Sequence, residues 1–205
     1  MKYGTNSCML AALLMLLAAC ASAPKERFYT LTDGVGSAGA TLPSQDYAVV
    51  VGPVFVPDVV DRPQFVLRMV GSEVKIADQA RWAEPLRQAI GRVVAVNIAH
   101  GLNNARVSSQ AQGSTGEADF RVVIDVQRFD SAPGVTATIE VTWTVRRIMS
   151  GEQETARVRI EEPVSGPDYE ALVAAHARAI ARVSDGIVTA IRASRQRGVA
   201  AAPAH

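Results

Sequence analysis

From Val135 to Val145 apolar residues fall at every second position. Val135, Ala137, Ile139, Val141, Trp143 and Val145 share one face, and Thr136, Thr138, Glu140, Thr142 and Thr144 share the other. A sustained period of two predicts a strand with one dry face and one wet face, as antiparallel sheets have. Val122, Ile124 and Val126 alternate in the same way within Phe120 to Phe129. After a turn at Ser150-Gly151, Ala156, Val158 and Ile160 alternate with Arg157 and Arg159. These three strands are expected to form a meander. Upstream, Tyr47-Ala48-Val49-Val50-Val51 is a β-branched run bounded by Gly52-Pro53 and reads as a buried strand. Val54 to Pro57 should stay extended, because the residue before a proline avoids the helical region. Gln64 to Val70 and Glu73 to Ala77 read as two strands joined through Gly71-Ser72 in a II′ hairpin turn. Phe28-Tyr29-Thr30-Leu31 and Ala105 to Ser108 supply shorter strands.

Two stretches change to a helical period. Pro85 suits a first helical turn, where its missing N–H costs nothing. Leu86, Ile90, Val93, Val94 and Asn97 then fall on one face with Arg87 and Arg92 outside, and Gly101 offers a C′ stop. From Pro167 onward Tyr169, Leu172, Val173, His176, Ile180, Val183, Ile187 and Ile191 recur at three and four, with Asp168 as N-cap. Arg178, Arg182, Arg192, Arg195 and Arg197 occupy much of the remaining surface of this helix. Two amphipathic helices packed on a mainly antiparallel sheet predict an α+β, two-layer domain.

The N-terminus follows a different logic. Lys2 precedes a short apolar run from Met9 to Leu16, and Leu17-Ala18-Ala19-Cys20 closes it. A charged region, a short apolar core and small residues before a cut site describe an export signal. The run is too short for a membrane span, which needs about 20 residues. Leu-Ala-Ala-Cys resembles the bacterial lipobox. That resemblance implies a diacylglycerol on the Cys20 thiol, cleavage before Cys20, and acylation of the new amine with a fatty acid such as palmitate. Ala21 lacks the Asp that favours inner-membrane retention in the Gram-negative pattern, which points to the outer membrane. The expected organisation is a signal peptide (1–19), a lipidated N-terminus with an early strand and a flexible loop (20–45), a single folded domain (46–198) and a disordered tail (199–205).

Charge and cysteine count narrow the functions. The chain has 21 Lys+Arg and 20 Asp+Glu. Loss of Lys2 with the signal makes the mature chain formally neutral, which argues against nucleic acid as a partner. Cys8 leaves with the signal and Cys20 carries lipid, so the mature domain has no disulfide to rely on. His100, His176 and His205 have no Cys, His or carboxylate at ligand spacing, so no metal site is expected. There is no G-x-S-x-G elbow. Gly34-Val35-Gly36 has neither a strand before it nor a helix directly after it, so it is no dinucleotide fingerprint. The carboxylate pairs Glu161-Glu162 and Asp58/Asp61 read as solvated turn residues rather than acid–base machinery. No cofactor and no catalytic residue are expected.

The densest stretch runs from Asp61 to Leu86. Asp61-Arg62-Pro63-Gln64 reads as a turn in which Asp61 accepts backbone bonds and Pro63 fixes φ. Arg81-Trp82 reads as an indole lid over the helix start with an arginine extended past it. Trp and Arg are also the types enriched at interface anchors, so both stretches are candidate partner-binding residues.

Taken in order, lipobox Cys20, Phe28-Tyr29-Thr30-Leu31, Val51-Gly52-Pro53-Val54, Asp61-Arg62-Pro63-Gln64, Ala77-Asp78 and Arg81-Trp82-Ala83-Glu84-Pro85-Leu86 resemble the PqiC-type lipoproteins, the membrane-integrity and ABC-type transport auxiliary family. The resemblance covers residues 20–99 by motif and the rest by element order. It implies a non-enzymatic outer-membrane lipoprotein that works with an MCE-domain protein anchored in the inner membrane, in a system that moves lipids between the two membranes. It also implies assembly into homo-oligomeric rings. Asp61, Arg62, Pro63, Arg81, Trp82, Glu84 and Pro85 are the motif residues that could bind the partner. The chain departs from the family pattern in Phe28, where a second Tyr is common, and in its Arg-rich C-terminal helix. The competing reading is a structural or interaction lipoprotein that helps assemble another envelope complex or binds the cell wall. A hydrolase would need a serine or aspartate within hydrogen-bond reach of His100 or His176.

Overall fold

The computed structural model describes residues 25–33, 46–103, 105–110 and 118–200. The expected signal peptide, Cys20, Ala21, the expected loop from Gly34 to residue 45, residues 111–117 and the residues beyond 200 lie outside the described residues.

Among the described residues eight strands and two helices follow one another as β1 (Arg27–Tyr29), β2 (Ala48–Phe55), β3 (Gln64–Arg68), β4 (Val74–Trp82), α1 (Leu86–Gly101), β5 (Arg106–Ser109), β6 (Phe120–Ala132), β7 (Thr136–Arg147), β8 (Gln153–Pro163) and α2 (Tyr169–Ala200). The class is α+β with one mixed sheet. Its two long ladders, β6–β7 and β7–β8, are antiparallel and make the expected meander. The shorter pairings of β1 with β4, β2 with β5, β2 with β6 and β3 with β6 are parallel. Both helices cover the same face. Along β7, Ala137, Ile139, Val141, Trp143 and Val145 are buried as their period requires, whereas Val135 sits in the β6–β7 turn and is exposed.

One edge of β6 organises the rest. Its first half pairs with β2, from Val49 opposite Phe120 to Phe55 opposite Asp125. Near its end, Ser131 meets Leu67 of β3. The sheet therefore forks along this edge into one arm of β2 and β5 and another of β3, β4 and β1. A bulge beside the fork opposes Val126 and Arg128 to consecutive β7 residues, Val141 and Glu140. Gln127 is the extra residue, so the inward positions change from Phe120, Val122, Ile124 and Val126 to Phe129 and Ser131.

Two glycines carry specific loads. Gly52 lies inside β2 with φ of 132°, and a Cβ there would stand 2.7 Å from Gln110 Cβ. Gly101 is the last residue of α1 rather than the expected C′ stop; the left-handed residue is Asn103, with φ of 53°. Its role is the approach of the two helices, since a Cβ on Gly101 would meet Val188 Cγ2 of α2 at 2.7 Å.

The arginines of α2 are spent within the domain. Arg178 and Arg182 both reach Glu162 of β8 at 3.1 Å. Arg192 donates to the Gly101 carbonyl, and the Arg195 guanidinium lies 3.9 Å above the Tyr47 ring. Arg197 pairs with Glu152 at 2.7 Å, and Ser194 Oγ donates to the same carboxylate. With these ties to the β7–β8 turn α2 runs on through Ala200, two residues into the expected tail. At the other end Asp168 Oδ1 accepts from the Ala171 N–H at 2.7 Å, the expected N-cap.

Candidate functional site

Strand β4 runs on past Ala77 to Trp82 because β1 pairs beside its second half: Arg27, Phe28 and Tyr29 face Ala80, Arg81 and Trp82. The indole is a core group, not a lid over the helix start. It is buried, stacks on Phe65 with centroids 4.0 Å apart, and meets Phe129 edge-on at 6.2 Å. Tyr29 and Tyr169 close around Phe65, so aromatic rings join β1, β3, β4, β6 and α2. Arg81 points the other way, and its Nη2 lies 2.7 Å from Glu26.

Around the edge of this cluster the two motif segments converge. The Trp82 N–H donates to the Pro63 carbonyl at 2.6 Å, and the Ala83 N–H to the Tyr29 carbonyl at 2.9 Å. Asp61, Arg62, Pro63, Trp82, Ala83, Glu84, Pro85 and Arg87 line a cleft of about 340 Å³. A second cleft of about 360 Å³ runs along Val51 to Phe55 to Ser109 and Gln110, and Arg87 borders both. Of the seven motif residues, only Arg81 lies off the first cleft.

The charges in the cleft are unevenly matched. Asp61 accepts from Arg87 at 2.5 Å, in place of the backbone donors expected of a turn aspartate. Glu84 pairs with Arg92, whose Nη2 also donates to the Leu31 carbonyl at 3.0 Å. These two carboxylates therefore brace the start of α1 against its neighbours. Among the described residues Arg62 has no ion-pair partner, and its Nε is buried without a hydrogen bond. The first turn of α1 carries no acidic residue and Pro85 provides no side-chain cap. Among the described residues Arg62 is therefore the cation of this cleft that no carboxylate pairs, and it lies beside the start of α1.

The three-four repeat places His176 on the apolar face of α2 but does not reveal its partner. Its Nε2 lies 2.8 Å from Ser131 Oγ, so a serine is within hydrogen-bond reach. The pair is sealed: His176 is fully buried, Ser131 nearly so, and neither lines either cleft. Nδ1 has no hydrogen-bond partner to orient the ring, and burial pushes the imidazole down to about 3. No group of three or more His, Cys, Asp or Glu among the described residues could hold a metal ion. No described helix is long and apolar enough to cross a membrane.

A family model described as the ABC-type transport auxiliary lipoprotein component matches residues 29–188. Two solved structures share the fold. An uncharacterized protein superposes with a TM-score of 0.68 at 20% identity, over 82% of this chain and 99% of its own. Protein XCC0632 from Xanthomonas campestris, of family DUF330, superposes with a TM-score of 0.62 at 20% identity, over 86% of this chain and 96% of its own. No curated protein is significantly similar in sequence.

Proposed function

Because the chain belongs to the family of ABC-type transport auxiliary lipoprotein components, we propose that it is a non-enzymatic docking component of an intermembrane lipid transport system. Lipid on Cys20 holds it at the periplasmic face of the outer membrane. Its partner is an MCE-domain protein anchored in the inner membrane, and the partner docks in the cleft between Asp61–Pro63 and Trp82–Arg87. The observation that carries this reading is the convergence of motif segments twenty residues apart in sequence on one open cleft that keeps an unpaired cation, Arg62. A partner segment bearing a carboxylate suits that charge.

The burial of Trp82 decides how to test docking. Truncating a core indole damages the fold, so its loss of binding would carry no information about the surface. A photo-crosslinking residue at Arg62, in the lipidated protein within envelope membranes, is the better reagent. Covalent capture of an MCE-domain protein, reduced by Arg87→Glu, is the expected result. Capture only of cell wall or of an unrelated envelope complex would replace this reading with that of a structural lipoprotein.

A further inference from the structure

Met69, Val70, Val74 and Ile76 are four of the exposed large apolar side chains, and all sit on the β3–β4 hairpin. Val70, at the tip, is 93% exposed. Scattered apolar residues are ordinary on a surface, but several gathered at one protruding turn mark a contact site. Gly71 turns the tip with φ of 70°, and the Met69 N–H donates to the Glu73 carbonyl, leaving Val70, Gly71 and Ser72 outside the ladder. Leu67 is level with Ser131 in the parallel pairing of β3 and β6. The β3–β4 tip and the β6–β7 turn, with its exposed Val135, therefore lie at the same end of the sheet.

The direction of β1 identifies what meets that end. β1 is parallel to β4, which runs from the hairpin tip toward the cleft, so the chain arrives at Arg27 from the tip side. The seven residues from Cys20 to Arg27 can span at most about 23–25 Å. From Gln64 to Val70 at the tip the hairpin extends at most about 20 Å, which that reach exceeds. The opposite end of the sheet, at the exposed Met149 of the β7–β8 turn, lies more than about 27 Å from the same level along β6, beyond the reach of the tether.

We propose that the tip of the β3–β4 hairpin, led by Val70 with Met69, Val74 and Ile76 behind it, inserts into the headgroup layer of the bilayer that carries the acyl anchor. This rests on the reading of Cys20 as lipidated. Lys75, exposed between Val74 and Ile76, supplies a cation at the depth of the lipid phosphates. The acyl chains provide retention, so the hairpin sets the pose of the domain and not whether it stays bound.

Once Cys8 has left with the signal and Cys20 carries lipid, the mature chain has no other thiol. Val70→Cys and Met149→Cys can therefore each be labelled uniquely with a polarity-sensitive nitrobenzoxadiazole dye. The full chain, processed and lipidated in the cell, is reconstituted into phosphatidylethanolamine–phosphatidylglycerol vesicles, and the mass of the same sample is measured. The expected result is a severalfold rise in emission with a blue shift at position 70, quenched by brominated acyl chains, and no change at position 149. No response at position 70 in protein whose mass includes the lipid overturns the hairpin proposal and leaves the anchor standing. A mass without lipid on Cys20 overturns the anchor and the proposal together. A rise at position 70 that follows protein concentration and ignores brominated lipid assigns the hairpin to a second copy of the chain, and overturns the proposal as well.

Discussion

The imidazole of His176 lies flat on the phenyl ring of Phe129, with centroids 3.9 Å apart and planes 8° from parallel. A helix side chain is thereby stacked on a strand side chain just past the bulge at Gln127, where the inward face of β6 changes register. The stack and the Ser131 bond hold one histidine at the junction of the sheet, the hairpin arm and α2.

That histidine should make the domain sensitive to mild acid. Its folded pKa of about 3 lies below the ordinary 6.5 because of burial. Between those values the unfolded chain binds a proton that the folded chain refuses. The stabilisation is complete above pH 6.5 and declines as pH falls, with a limiting slope of about 1.4 kcal/mol per pH unit. Urea unfolding of the wild type at pH 7 and pH 5 should show this loss, and His176→Leu should flatten the dependence while lowering stability at pH 7. An unchanged slope in the variant would contradict the assignment.

Glu162 should act in a lower window. Burial pushes its carboxyl up, but hydrogen bonds from Arg182 and Arg178 outweigh that and hold it below the ordinary 4.5. Its contribution is present above pH 4.5 and is lost as pH falls through the depressed value. Both arginines are about half exposed, so Glu162→Gln should cost only about 1 kcal/mol at pH 7. The cost should shrink with added salt and vanish at the acid end, as read by thermal unfolding in both conditions.

Gly101→Ala should be destabilising although the residue is helical. The added methyl enters the space of Val188, a β-branched side chain with little rotamer freedom. A loss of about 1–3 kcal/mol is expected from the overpacking. Val188→Ala in the same chain should recover part of it, and a double-mutant cycle by urea denaturation measures the coupling.

Trp82→Ala should cost about 3–5 kcal/mol, because it removes the ring stacked on Phe65. Arg62→Ala, by contrast, removes a cation with no ion-pair partner and should leave the melting temperature nearly unchanged. Paired thermal melts separate the two kinds of motif residue. Equal losses from both would place Arg62 in the framework as well.

Periodicity was the strongest guide to this fold. The odd positions of β7 and the three-four repeat of α2 each have one buried face, so their burial could be read residue by residue. The helix α1 was legible for the same reason. Parallel pairings were not, because β1 and β4, or β2 and β6, lie far apart in the chain and no local turn announces them. Without β1 alongside, Arg81-Trp82 looked like an approach to the helix and not the end of a strand. The bulge at Gln127 was hidden because the alternation of Val122, Ile124 and Val126 reads as one regular strand, and only Phe129, three positions after Val126 and so on the opposite face of such a strand, departs from it. Gly101 read as the stop just beyond α1, whereas it is the helix's last residue and lies where Val188 leaves no room for a Cβ. For the cleft, the motif residues were legible as a group, while their division into braces, core and open cation required the packing. Glu84 and Arg92 illustrate this, since nothing in their spacing reveals that Arg92 also donates to the Leu31 carbonyl. The five arginines of α2 could be placed on its outer surface from the sequence, but not the intramolecular partner that each of them has.

The parallel entry of β1 beside β4 also has a mechanical consequence. A load on the chain ahead of Arg27, drawn toward the hairpin tip, acts along the strand axis. It strains the bonds between β1 and β4 in shear, all at once, and does not peel them one by one. Leu31, fully buried just beyond β1 and tied through its carbonyl to Arg92, acts as the stop that keeps the strand from sliding out.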